Sequence, residues 1–172
     1  FAAEQKWNIE GREYMMKIFR AQQAGDHAKA VELLEEAAAK FPDVDQLDQM
    51  AFTVMLADKS TCDKAYALGR KLMEASWDQA QALNSLAWTV VDDSDVAHRD
   101  LDFAMKAAKR ADELTDHADA SILDTLARVY WEQGDSAKAI TVQTEAVKHA
   151  DGRMKAQIEE VLERYKKEAN SG

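Results

Sequence analysis

The chain has 172 residues, 47% of them apolar and 31% charged, with 6 Gly, 1 Pro, 1 Cys and a formal net charge of -10. This balance supplies a continuous core and argues against nucleic acid and anionic membrane as partners, because both attract basic surfaces. The single cysteine, Cys62, excludes an internal disulfide, no run approaches the length of a membrane span, and no signal peptide is visible.

Ala, Leu, Glu, Lys and Gln dominate, Gly and Pro are scarce, and β-branched runs are absent, so the expected class is all-α. The first predicted helix runs from about Ala3 to Ala24, with Trp7, Tyr14, Met15, Ile18, Phe19 and Ala21 as candidates for burial. Gly25-Asp26 breaks it, and a second helix starts near His27. Here the segment QAGDHAKAVELLEEA aligns without a gap against EQGDSAKAITVQTEA at Glu132, so Gly25 matches Gly134, Ala30 matches Ala139 and Ala37 matches Ala146 at a constant offset of 109. That is an internal repeat. Phe41-Pro42-Asp43 closes the first hairpin, since Pro cannot continue a helix.

A second alignment links LDQMAFTVM at Leu47, LNSLAWTVV at Leu83 and LDTLARVYW at Leu123, separated by 36 and 40 residues. Each begins the first helix of a pair, and second helices follow around Asp63–Ala75, Leu101–Leu114 and Ala137–Ala150, with Ala65, Ala104 and Ala139 placed where helices cross. The extra length before Leu101 falls in DDSDVAHRD, a turn insertion that a loop absorbs cheaply. Asp151-Gly152 breaks the pattern once more. The last helix, about Met154 to Lys167, carries one apolar stripe of Met154, Ile158, Val161, Leu162 and Tyr165, as expected of a cap on an open stack.

The run Leu123, Leu126, Ala127, Tyr130, Gly134, Ala139 and Ala146 resembles the tetratricopeptide repeat at seven positions. The first unit departs from that pattern, with Lys17 where leucine is usual and Ile18 where a small residue is usual. The resemblance implies an all-α, right-handed α-solenoid of about four helical hairpins plus a C-terminal capping helix. On this reading residues 1–172 form a single domain, with repeats at about 3–43, 44–76, 77–116 and 117–150 and a cap at 151–168. A narrower resemblance joins ALNSLAW, RDLDFAMKAAKRADEL, SILDTLARVYWEQGDSAKAI and MKAQIEEVLERYKK to the C-terminal helical extension of bacterial redoxin-like proteins. It implies an accessory docking or recognition domain for a thioredoxin-like catalytic domain upstream of Phe1, in a periplasmic or secreted protein; otherwise a cytoplasmic location is expected. The chain begins at Phe1 rather than Met and reads as a piece of a longer protein. Any dithiol chemistry would lie upstream, because no Cys-x-x-Cys occurs in these residues.

The repeat resemblance implies peptide binding in a groove lined by the first helices. Counting from the repeat leucine, the groove candidates are Asp48, Asn84 and Asp124, then Phe52, Trp88 and Arg128, then Met55, Val91 and Trp131. Spacings of i, i+4 and i+7 keep each set on one helix face. The structural alternative is that Phe52 and Trp88 pack against neighbouring helices while Asp and Asn cap or solvate. The expected partner is a protein or peptide of basic or amphipathic character, or the protein's own upstream domain; oligomeric state stays open, with Trp7, Ile9 and Tyr14 as candidate assembly contacts. No catalytic residue, metal ligand set or cofactor is expected: His27, His98, His117 and His149 are scattered without metal-pair spacing, and no glycine-rich phosphate loop occurs. Cys62 sits at a helix start where a thiol can be activated, but the preferred reading is a small inert side chain.

Overall fold

A computed structural model describes residues 7–44, 46–92 and 95–171, together with the backbone but not the side chains of Asn8 and Ile9. Described residues are helical or in turns, without strand. After a π-helical turn at Trp7–Gly11 come α1 (Arg12–Gln23), α2 (His27–Lys40), α3 (Gln46–Leu56), α4 (Cys62–Ala75), α5 (Ala80–Asp92), α6 (Leu101–Leu114), α7 (Ala120–Glu132), α8 (Ser136–His149) and α9 (Gly152–Ala169). This is an all-α architecture of helical hairpins. The portion of the first predicted helix before Trp7 lies outside the described residues, as do Asp93 and Ser94 of the insertion.

The chain forms two compact units, Phe1–Leu72 with Asp95–His98 and Met73–Ser94 with Arg99–Gly172. In the first, α1 packs on α2 and α2 on α3. Its core holds Ile18, Leu34, Ala37, Leu47, Phe52 and Leu56. Trp7 and Tyr14 meet Phe41 edge-on, with ring centroids 5.1 and 6.1 Å away. Part of the insertion is anchored here rather than loose: the Ala97 N–H donates to the Leu56 carbonyl and the Tyr66 hydroxyl to the His98 carbonyl, both at 2.8 Å.

In the second unit each helix packs on the next from α5 to α9, and α5 also lies against α7. Gln81 at the start of α5 donates to Asp119, whose other carboxylate oxygen caps α7 by accepting from the Ser121 and Ile122 N–H groups. Ala104, Ala127 and Ala139 are fully buried, as close helix crossings require. The α9 stripe is shorter than the sequence pattern suggests. Ile158, Leu162 and Tyr165 are buried, whereas Met154 is exposed because it lies in the first turn, ahead of the buried segment.

The two aligned Gly-Asp pairs build the same corner. Gly25 and Gly134 adopt left-handed backbone at φ 71° and 81°. The following Asp26 and Asp135 N–H groups reach back to the Ala21 and Tyr130 carbonyls, and their side chains then accept from the Lys29 and Lys138 N–H groups at 3.0 and 3.1 Å. One dipeptide thus ends one helix and caps the next. A Cβ at Gly134 would meet open space, so Gly134→Ala carries backbone strain alone. We expect a cost of about 1 kcal/mol, read as a lower Tm, with Gly134→Asn closer to wild type because Asn tolerates this region.

Candidate peptide interface

The candidate residues divide between the two units, and each unit presents its own part. In the first, Asp48 lies in the first turn of α3 and is half-buried. It lines a cleft of about 300 Å³ with Leu34 and Glu35 of α2, Ala51 and Met55 of α3, and Lys64 of α4. Phe52 takes no part in an open surface. It is 0% exposed, and its ring stands edge-on to Tyr66 of α4 at 6.2 Å. Met55 is also buried. Tyr66 of α4 covers the aromatic position of α3.

In the second unit, α5 and α7 lie side by side and carry Asn84, Trp88, Asp124, Arg128 and Trp131. Trp88 is 38% exposed. The Asn84 Oδ1 is buried and accepts no hydrogen bond among the described residues, and the Arg128 Nε is likewise buried without an acceptor. The end of the Arg128 guanidinium pairs with Glu132 at 3.1 Å. Val91 is core. Trp131 is half-buried, and one face of its indole is taken: it stacks on Tyr165 of α9 with centroids 4.2 Å apart and planes 8° from parallel. The cap therefore occupies part of the surface expected of Trp131.

Asp124 is tied to the cap as well. Gln143 of α8, fully buried, donates from Nε2 to Asp124 Oδ1 at 2.6 Å and to the Ile158 carbonyl of α9 at 3.3 Å. Burial pushes the Asp124 carboxyl above the ordinary carboxylate range and nearby Asp92 adds to the push, while the Gln143 hydrogen bond and the Arg128 and Arg164 guanidinium groups pull it back.

Phe19 is a surface residue that the sequence reading places in the core. It is 59% exposed, and its neighbour Met16 is 56% exposed. The signal was available, because the offset of 109 that aligns Gly25 with Gly134 sets Phe19 against Arg128. The assembly candidates fare differently: Trp7 and Tyr14 are committed to Phe41, and the Ile9 side chain lies outside the described residues. Burial raises the Cys62 thiol above its usual value, opposing the activation that a helix start can supply. No cluster of three His, Cys, Asp or Glu suited to a metal occurs among the described residues.

No family model matches the chain, and neither does any curated protein. Among solved structures it is similar to the crystal structure of MamA protein, with a TM-score of 0.54 and 16% sequence identity over 91% of this chain and 86% of that one. The fold is that of a tetratricopeptide-like helical repeat. At this identity the likeness carries fold alone. The redoxin resemblance continues to rest on the quoted sequence runs only.

Proposed function

We propose that the chain is a protein-interaction module that grips an extended or helical peptide segment on the α5/α7 face, through Asn84, Trp88, Asp124 and Arg128. The observation that carries this reading is that two buried polar atoms on the neighbouring helices α5 and α7, an acceptor at Asn84 Oδ1 and a donor at Arg128 Nε, have no partner among the described residues. Each unmet buried group is unfavourable by about 1–3 kcal/mol. A peptide backbone offers the complement of both, an N–H for Asn84 and a carbonyl for Arg128. Trp88 adds apolar area beside them, the kind of side chain that dominates binding energy. Trp131, half-buried on α7, adds to that apolar area. A basic or amphipathic segment suits the net charge of -10.

The test is selection of short random peptides on the purified protein, followed by titration of the enriched sequences. Trp88→Ala and Asn84→Ala should each weaken binding about tenfold or more, with helicity unchanged by circular dichroism. Equal affinity for wild type and both variants would move the site elsewhere.

A further inference from the structure

The exposed face of α1 differs from the rest of this acidic chain. Met16 and Phe19 are more exposed than any other large apolar side chain of the described residues, at 56% and 59%, and they are neighbours at i, i+3. Around them α1 carries Arg12, Lys17 and Arg20 against one carboxylate, Glu13, and all four are exposed. None of the three cations forms an ion pair among the described residues; Lys17 lies 5.7 Å over the Tyr14 ring. On the next helix, by contrast, Lys29 pairs with Glu32 at 2.8 Å and Lys40 with Glu10 at 2.7 Å. Unneutralised positive charge beside solvent-exposed methionine and phenylalanine is a surface without its complement.

We infer that this face of α1 docks an acidic amphipathic helix of a partner protein, with partner leucine or phenylalanine side chains against Met16 and Phe19 and partner carboxylates against Arg12, Lys17 and Arg20. Charge complementarity selects this occupant over two others. An anionic membrane would meet the same face but must accept the net charge of -10 of the chain. The exposed apolar side chains of a second copy lie beside cations or mixed charge rather than on an acidic face. Its exposed Trp77 lies under Lys106 and Arg110, and its exposed Met154 is flanked by Arg153 and Lys155. Trp88 offers only Asp92 as an ionisable residue on its helix. The surface lies on α1, in the first unit, and stands independently of the α5/α7 reading.

The experiment is fluorescence anisotropy with a labelled amphipathic peptide bearing Leu and Phe on one face and Glu on the other, its C-terminus amidated. A second peptide has Lys in place of Glu. The acidic peptide should bind saturably and weaken with added salt, and any binding of the basic peptide should be insensitive to substitutions on α1. Met16→Ala with Phe19→Ala should weaken the acidic peptide at least about tenfold, as should Lys17→Glu with Arg20→Glu, whereas Trp88→Ala should leave it unchanged. Absence of saturable binding overturns the proposal, as does equal binding to wild type and α1 variants. Loss of binding in Trp88→Ala would assign the peptide to the α5/α7 face instead. Two controls carry the other occupants: sedimentation with anionic lipid vesicles that the peptide fails to displace, or a dimer by light scattering that Phe19→Ala dissolves, would each overturn it.

Discussion

Replacing Ala127 by leucine should destabilise the second unit by about 3 kcal/mol, the upper part of the range for overpacking a close crossing. Ala127 on α7 is fully buried in one cluster with Ala139 of α8 and Tyr165 of α9, and Tyr130, Trp131 and Val161 fill the margin. Three added carbon atoms have nowhere to go unless α7 and α8 separate or Tyr165 swings out, and the second course would also break its stack on Trp131. The readout is a thermal melt, in which about 2–4 °C of Tm is lost per kcal/mol for a chain of this size. The control is Ala137→Leu. Ala137 belongs to the same repeat pattern but faces solvent, so the substitution should stay within about 0.5 kcal/mol. Equal melts for Ala127→Leu and wild type would show that the α7/α8 seam is placed wrongly.

The second large effect belongs to Gln143 and is expected to be conditional on Asp124. Gln143→Leu removes the only hydrogen-bond donor on Asp124 Oδ1 among the described residues and should cost about 2 kcal/mol, the typical penalty for stranding a buried acceptor. Adding Asp124→Leu should recover most of that loss, because removing both partners leaves neither half of their hydrogen bond unmet. The pH profile has a definite sign. The folded-state value of Asp124 is raised, chiefly by burial, so at pH below the ordinary carboxylate value both states hold the proton and no penalty exists. As pH rises past that value the unfolded chain releases its proton first, and stability falls until the folded-state value is passed. Asp124→Asn should therefore raise Tm at neutral pH, with an advantage that fades in acid. A pH-independent difference would mean that Asp124 does not titrate in this environment.

These variants also mark how far the residues could be read without coordinates. Hairpin corners were legible because Gly-Asp carries two local instructions, a left-handed residue and a helix cap, that need no tertiary partner. Helix crossings were legible too: Ala65, Ala104 and Ala139 are all fully buried. Which neighbour covers a given face was not. Phe52 and Trp88 occupy equivalent places in their repeats, yet one lies beneath Tyr66 and the other is open to solvent. Phe19 and Met154 misled because each sits on the first or last helix of the series, where the set of neighbours changes. A period of 3.6 residues assigns side chains to faces; it carries no information about what lies opposite.

The short segment Asp95–His98 gives the chain a path that leaves the first unit within α4, builds α5, returns for four residues and leaves again. Neither unit is one unbroken stretch of polypeptide. A cut after Leu72 deletes the amide that bonds the Leu56 carbonyl and the carbonyl that receives the Tyr66 hydroxyl, and it severs α4 three residues short of Ala75. The halves are thus interleaved in covalent connectivity, and dissecting this protein calls for removal of internal segments or a circular permutation rather than a truncation.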